Sequence, residues 1–223
     1  MYYHKILVIG GGLAGLRAAI ESAPKVDTAI LSQVHPVRSH SGAAQGGVNA
    51  SLANNPAAKD DNWEKHAFDT TKGSDYLADQ DAVEFMTKEA GPCIYEIEHW
   101  GCPFSRTDDG RIAQRPFGGA GYPRTCFAAD KTGMYMLHTL WERSVKLNIP
   151  LYEDRVMVDL VLEGGAVRGV ICLNMRTGEL EQFMAEAVII ASGGSGQIYG
   201  RSTNALISTG SAQSACYRRG VPL

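Results

Sequence analysis

Lys5-Ile6-Leu7-Val8-Ile9-Gly10-Gly11-Gly12-Leu13-Ala14-Gly15 is the stretch that decides the fold. A short apolar run stopped by three glycines reads as a buried parallel strand entering a tight turn. Leu13, Leu16 and Ile20 then recur at helical spacing up to Pro24, and Thr28–Leu31 reads as a second strand. Strand, helix and strand make one βαβ unit, the start of a doubly wound α/β sheet. Gly10, Gly12 and Gly15 fit G-x-G-x-x-G at the strand-to-helix turn. Glycine at 10 permits the turn, at 12 lets backbone N–H groups approach a pyrophosphate, and at 15 allows the helix close to the strand. A dinucleotide is therefore expected here. The fingerprint does not settle NAD against FAD: the acidic residue expected about twenty positions on to bind a ribose hydroxyl is missing, and Ser32, a weaker partner, stands at the end of the second strand.

Working outward, Arg38-Ser39-His40-Ser41-Gly42-Ala43-Ala44-Gln45-Gly46-Gly47 combines small and polar residues. Its glycines let backbone approach a flat ring, and Ser39, Ser41 and Gln45 offer hydrogen bonds. This suggests a flavin held by the fingerprint at its pyrophosphate and by this segment at its ring. Taken on its own chemistry, His40 reads more readily as an ordinary structural histidine than as a functional one.

From about residue 50 to 130 the pattern loosens. Ala53–Pro56 reads as a loop, and helices are expected around Trp63–Thr71 and Gln80–Trp100. Arg115-Pro116-Phe117-Gly118-Gly119 and Arg124-Thr125 place two cations and an aromatic ring among glycines, which suits an anionic ligand or, equally, a solvated loop. Met134, Leu137 and Trp141 share a helix face. After Pro150 the period becomes two: Val156, Val158 and Leu160 alternate, Gly164-Gly165 turns the chain, and Val167–Leu173 with Glu179–Met184 complete an antiparallel meander. Val188–Ala191 reads as a separate short buried strand returning to the first sheet, followed by a helix over Ala212–Arg218. The expected division is 1–50 for the first part of a dinucleotide domain, 51–149 for a helical and loop insertion, 150–184 for the meander and 185–223 for an incomplete return. No closing element is read at the end, so a fragment is expected.

The 223 residues carry a net charge of −3, with 44% hydrophobic and 20% charged residues and no dense basic run, which argues against a nucleic-acid surface. No apolar stretch is long enough to span a bilayer, and the N-terminus lacks a signal-peptide pattern. Five cysteines occur without any Cys-x-x-Cys, so neither zinc nor an iron–sulfur cluster is expected, and reduced thiols are.

Taken together these motifs resemble the flavoprotein subunit of succinate dehydrogenase and quinol:fumarate reductase. The matching segments are Gly10–Gly15, Pro36–Ser41 with Ala44–Gly47, and His66-x-x-Asp69-Thr70-x-x-Gly73-Ser74-Asp75. Trp100–Pro103, Arg115–Gly119, Arg124-Thr125-x-x-Ala128–Gly133, Ala191–Gly196 and Thr203–Ala205 complete them. The resemblance covers the N-terminal part of the family's longer polypeptide, and implies an FAD-binding Rossmann-like fold without the capping domain. It implies FAD bonded covalently from His40 to the flavin 8α carbon. It also implies cofactor contacts at Gly10, Gly12, Leu13, Ala14, Gly15, Ser32, Gln33, Arg38, Ser39, His40, Ser41, Ala44, Gln45, Gly46, Gly47, Val156, Ala191 and Gly193. Gly47, Phe117 and Gly118 match positions lining the dicarboxylate site. The implied reaction is hydride transfer between succinate or fumarate and the flavin, with electrons exchanged with quinone through an iron–sulfur subunit and a membrane anchor. The chain would be peripheral, on the cytoplasmic membrane face. The family's proton-donor arginine and its carboxylate-binding histidines and second arginine have no counterpart here, so no catalytic residue and no activity of the chain alone are expected. Two positions depart from the pattern: Ser211 stands where aspartate is common, and Met134 where many succinate dehydrogenases carry histidine. An L-aspartate oxidase-like flavoprotein, with FAD held non-covalently, and a catalytically silent flavin-binding fragment are the alternatives.

Overall fold

The computed structural model describes residues 1–222, which form two compact units: residues 1–42 with 140–222, and residues 43–139. In the first unit, β1 (Tyr2–Ile9), α1 (Leu13–Ser22) and β2 (Thr28–Ser32) form the βαβ unit read from the sequence. β1 and β2 pair in parallel from Ile6↔Thr28 to Ile9↔Leu31. Every residue of β2 is buried, as expected for a parallel strand covered on both faces.

The second unit contains β3 (Val48–Asn49), α2 (Trp63–Gly73), α3 (Gln80–His99), β4 (Gln114–Arg115), β5 (Thr125–Cys126) and most of α4 (Thr132–Lys146). Asn62 caps α2 by accepting from the Lys65 N–H, and Asp79 caps α3 by accepting from Asp81 and Ala82. The two-residue strands form a small sheet in the order β3-β5-β4, too short to leave a signature in the sequence. Much of this unit is loop, and its buried backbone groups are satisfied by side chains. Gln114 donates to the carbonyls of Ala50 and Arg124 and accepts from the Asn54 N–H, while Asn54 donates to the Ile112 carbonyl.

The first unit resumes with β6 (Leu151–Glu153), β7 (Arg155–Glu163), β8 (Ala166–Asn174), β9 (Leu180–Ile190) and α5 (Ser211–Arg218). The sheet order is β6-β2-β1-β9-β8-β7. β6 was not expected; it adds in parallel to β2. Asp154, at φ +59°, separates it from β7, so consecutive strands occupy opposite edges of one sheet. The sheet folds over so that the meander covers one face of the parallel strands. Leu7, Ile9, Ala29 and Leu31 pack there with Met157, Leu160, Val170, Cys172, Phe183 and residues of α5.

Two expectations for this region are corrected. The alternating face Val156, Val158, Leu160 does not form. A bulge between Met157 and Asp159 shifts the register, so Met157 and Leu160 point inward and Val158 is exposed. Nor is the strand at Val188–Ala191 separate or fully buried. It is the second half of β9, which pairs antiparallel with β8 from Leu180 to Met184 and parallel with β1 from Phe183 to Ile190, and Ile190 is 39% exposed.

Candidate flavin-binding site

Each unit carries part of the expected set. In the first, Gly10 has φ +117°, and a Cβ there would lie 2.2 Å from the Ala191 carbonyl oxygen. A Cβ on Gly15 would lie 1.8 Å from the Gly10 carbonyl oxygen. The end of β1, the end of β9 and the first turn of α1 thus meet with no room for a methyl group. Gly12 precedes α1 without capping it by a side chain. Its Cα faces the hydroxyls of Ser41 and Ser39, which would stand 3.2 and 3.7 Å from a Cβ there. Ser41 Oγ accepts from the Leu13 N–H at 3.3 Å. Ser39 Oγ is buried and has no hydrogen-bond partner. An orphaned hydroxyl, a helix N-terminus whose N-cap residue offers no side chain, and a glycine between them fit an anion such as the FAD pyrophosphate. Leu13, Ala14 and Gly15 supply that first helical turn.

Ser32 ends β2 and is buried, its hydroxyl donating to the Val34 carbonyl at 2.6 Å. Its lone pairs remain free to accept from a ribose hydroxyl. Gln33 follows it directly. Beyond them lies a groove of about 430 Å³ lined by Val34, His35, Arg38, Glu153, Asp154, Arg176, Ala205 and Ile207. Arg38 faces this groove at the ends of β2 and β6. Val156 lies on β7, after Asp154, and Gly193, at φ +77°, accepts from the Gln213 side chain just beyond Ala191.

His40 is exposed, yet its ring is held. The Ala205 N–H donates to Nδ1 at 3.2 Å, so the ring proton sits on Nε2. The Asn204 side-chain amide lies 3.3 Å from Nε2, and its oxygen is then the consistent partner, an orientation assigned from the hydrogen bonding. Asn204 comes this close because Gly196 leaves space: a Cβ there would overlap the Asn204 amide. Asn204 and Ala205 were part of a quoted motif but not of the expected site. No spacing rule links them to a histidine 165 residues earlier.

In the second unit, Ala44 accepts from the Gly133 N–H at the start of α4. Gly47, at φ +124°, packs against Thr125 Cγ2 and the Cys126 carbonyl, each 2.5 Å from a built Cβ. The Phe117 ring covers Gly46, with ring atoms 2.6 Å from where a Cβ would be. Gln45, Gly46, Gly47 and Phe117 are thus brought together. Gly118 follows in the same loop, with open space where a Cβ would stand. Arg115 holds the carbonyls of Gln45 and Gly46. Arg124, expected as a possible ligand cation or surface residue, is neither. It is fully buried, with Asp61 on one side and Asp69 at 2.6 Å on another. Burial opposes its charge, but the two carboxylates outweigh that and raise its pKa. Beside it His66 is buried with Nδ1 unpartnered, and burial, then the Arg124 charge, push its pKa down. Among the described residues no His, Cys, Asp and Glu group could hold a metal ion, and no helix is long and apolar enough to cross a membrane.

The chain is similar to known proteins along its whole length. The chain is 46% identical, over 99% of its length, to the fumarate reductase flavoprotein subunit of Mycobacterium tuberculosis, and 45% identical to the succinate dehydrogenase flavoprotein subunit of Rickettsia bellii. It spans 38% of the length of each. A solved Escherichia coli quinol fumarate reductase superposes with a TM-score of 0.92 at 40% identity, over 99% of this chain and 38% of that one. The FAD binding domain family matches residues 5–223, and the chain belongs to it.

Proposed function

We propose that this chain is the flavin-carrying part of an oxidoreductase that interconverts succinate and fumarate, with FAD bonded to His40. FAD, when bound, supplies the two-electron acceptor and donor. The chain's own residues bind and orient. Leu13 to Gly15, Ser39 and Ser41 would hold the pyrophosphate, and Ser32 and Gln33 the ribose. Gly46 and Gly47 would approach the ring, and Phe117 and Gly118 would line the dicarboxylate side. The observation that carries the covalent reading is the fixed His40 ring. With Nδ1 accepting the Ala205 N–H, Nε2, whose contact with the Asn204 amide would have to give way, is the nitrogen that would bond carbon. An imidazole so attached withdraws electrons and eases flavin reduction, which a weak reductant such as succinate requires. Similarity to succinate dehydrogenase and quinol fumarate reductase subunits supports the rest. Electrons would pass to an iron–sulfur subunit and, through membrane anchor subunits, to quinone, with this protein peripheral on the cytoplasmic face of the membrane.

The test is to denature the flavin-loaded full-length protein and digest it. Flavin should stay with the peptide containing His40. The His40→Ser variant should keep flavin only until denaturation and lose succinate oxidation more than fumarate reduction. Flavin released from the wild-type protein on denaturation would favour the L-aspartate oxidase-like alternative. A polypeptide of these 223 residues alone should show no succinate oxidation, because none of its residues matches the family's proton donor.

A further inference from the structure

We propose that Arg115 is a positioning residue for the flavin ring: it turns the N–H groups of Gly46 and Gly47 toward the ligand and polarises them. This inference rests on the flavin reading above. Arg115 ends β4, which pairs with β5 through Arg115↔Thr125. Its guanidinium donates from Nε to the Gly46 carbonyl at 3.1 Å, and from one terminal nitrogen to the carbonyls of Gln45 and Gly46. Its central carbon lies 4.3 Å from the centroid of the Phe127 ring. The fork is thus fixed by two carbonyls and an aromatic face, an arrangement a lysine cannot copy.

The consequence follows from peptide geometry. The described chain contains no cis peptide bond, and in a trans peptide the carbonyl of one residue and the N–H of the next point in opposite directions. Pinning the Gln45 and Gly46 carbonyls onto Arg115 therefore aims the Gly46 and Gly47 N–H groups away from it. Phe117, in the loop two residues after Arg115, covers Gly46, so the segment that orients these peptides also shields one of them. Among the described residues no acidic side chain pairs with Arg115, unlike Arg124 with its two carboxylates. Its charge is left to draw electron density from the two carbonyls, which makes the opposite N–H groups stronger donors. Donors of that kind favour a ring that gains negative charge on reduction.

The experiment is a reductive titration of the flavin in the loaded full-length protein, for wild type, Arg115→Met and Arg115→Lys. Arg115→Met should shift the oxidised-to-reduced equilibrium at least tenfold toward the oxidised form, about 30 mV for a two-electron couple. Arg115→Lys, which keeps the charge and loses the fork, should recover less than half of that shift. A merely structural role would leave the potential of whatever flavin is retained unchanged. Equal potentials in wild type and both variants would overturn the inference while leaving the flavin reading intact. If Arg115→Met does not fold, Arg115→Lys alone decides, and a wild-type potential in it overturns the proposal. A wild-type protein that binds no flavin would overturn the flavin reading and this inference with it.

Discussion

The turn at Gly10–Gly15 and the loop core around Arg124 achieve close packing by opposite means. At the turn, Gly15 comes so near the Gly10 carbonyl that a methyl would lie 1.8 Å from it; the approach depends on atoms left out. Around Arg124, loop residues and α2, which carries Asp69, converge on a charge. The guanidinium donates to Asp61 and Asp69, and Asp69 also accepts from the Gly121 N–H. The first arrangement involves no ionisable group and should be indifferent to pH and salt. The second depends on protonation and on both partners being present. Backbone segments are thus brought close once by sterics and once by buried electrostatics.

The largest effect should come from breaking the buried charge cluster. Arg124→Met strands two carboxylates in a dry environment, and loss of one partner of a buried pair costs about 3–5 kcal/mol; chemical denaturation would measure it. If the loss were under 1 kcal/mol, the cluster would not be holding these loops. Next, Gly15→Ala should destabilise by about 1–3 kcal/mol through overpacking, and should lower the fraction of the protein that acquires flavin. Its loss of stability should be the same at pH 8 and pH 6, which sets it apart from the Arg124 variant.

A smaller effect comes from His66. Its pKa is lowered in the folded protein, so the unfolded chain takes up a proton first as pH falls. Stability is full above the unfolded value of about 6.5 and is lost as pH drops below it toward the folded value. The denaturation midpoint should fall between pH 7.5 and pH 5, and His66→Asn should flatten that slope. An unaltered slope in the variant would assign the pH dependence to other groups. The smallest effect belongs to Glu21, exposed on α1, where Arg17 and Lys25 pair with it. Glu21→Ala should leave the midpoint unchanged at 0.15 M salt, because exposed pairs contribute little.

The sequence revealed the βαβ unit because an apolar run, three glycines and a helical repeat are local signals. The helices at Trp63 and Gln80 were visible for the same reason. What it hid was non-local. β6 is three residues long and is defined by β2, more than a hundred residues earlier. The bulge that turns Met157 inward instead of Val158 cannot be seen in an alternating run. Arg124 carries no mark distinguishing a buried arginine from a ligand-binding one, since its carboxylates lie over fifty positions upstream. In the candidate site, the glycines and serines were legible as residue types. The grip of Ala205 on His40 and of Arg115 on Gly46 depends on long-range approach and was not.

The position of β1 also has a consequence for biosynthesis. This strand sits mid-sheet, and its partner on one side is β9, so Ile9 must wait for Ile190. At about 5–20 residues per second, the ribosome takes roughly 10–40 s to cover that distance. Throughout it the edge of β1 has only β2 beside it. His40 waits still longer, because Ala205 is made after β9. A nascent chain therefore passes through a period in which its first strand is half-paired and needs shielding from aggregation. The His40 ring can be held in its observed orientation only once nearly all of this segment has emerged.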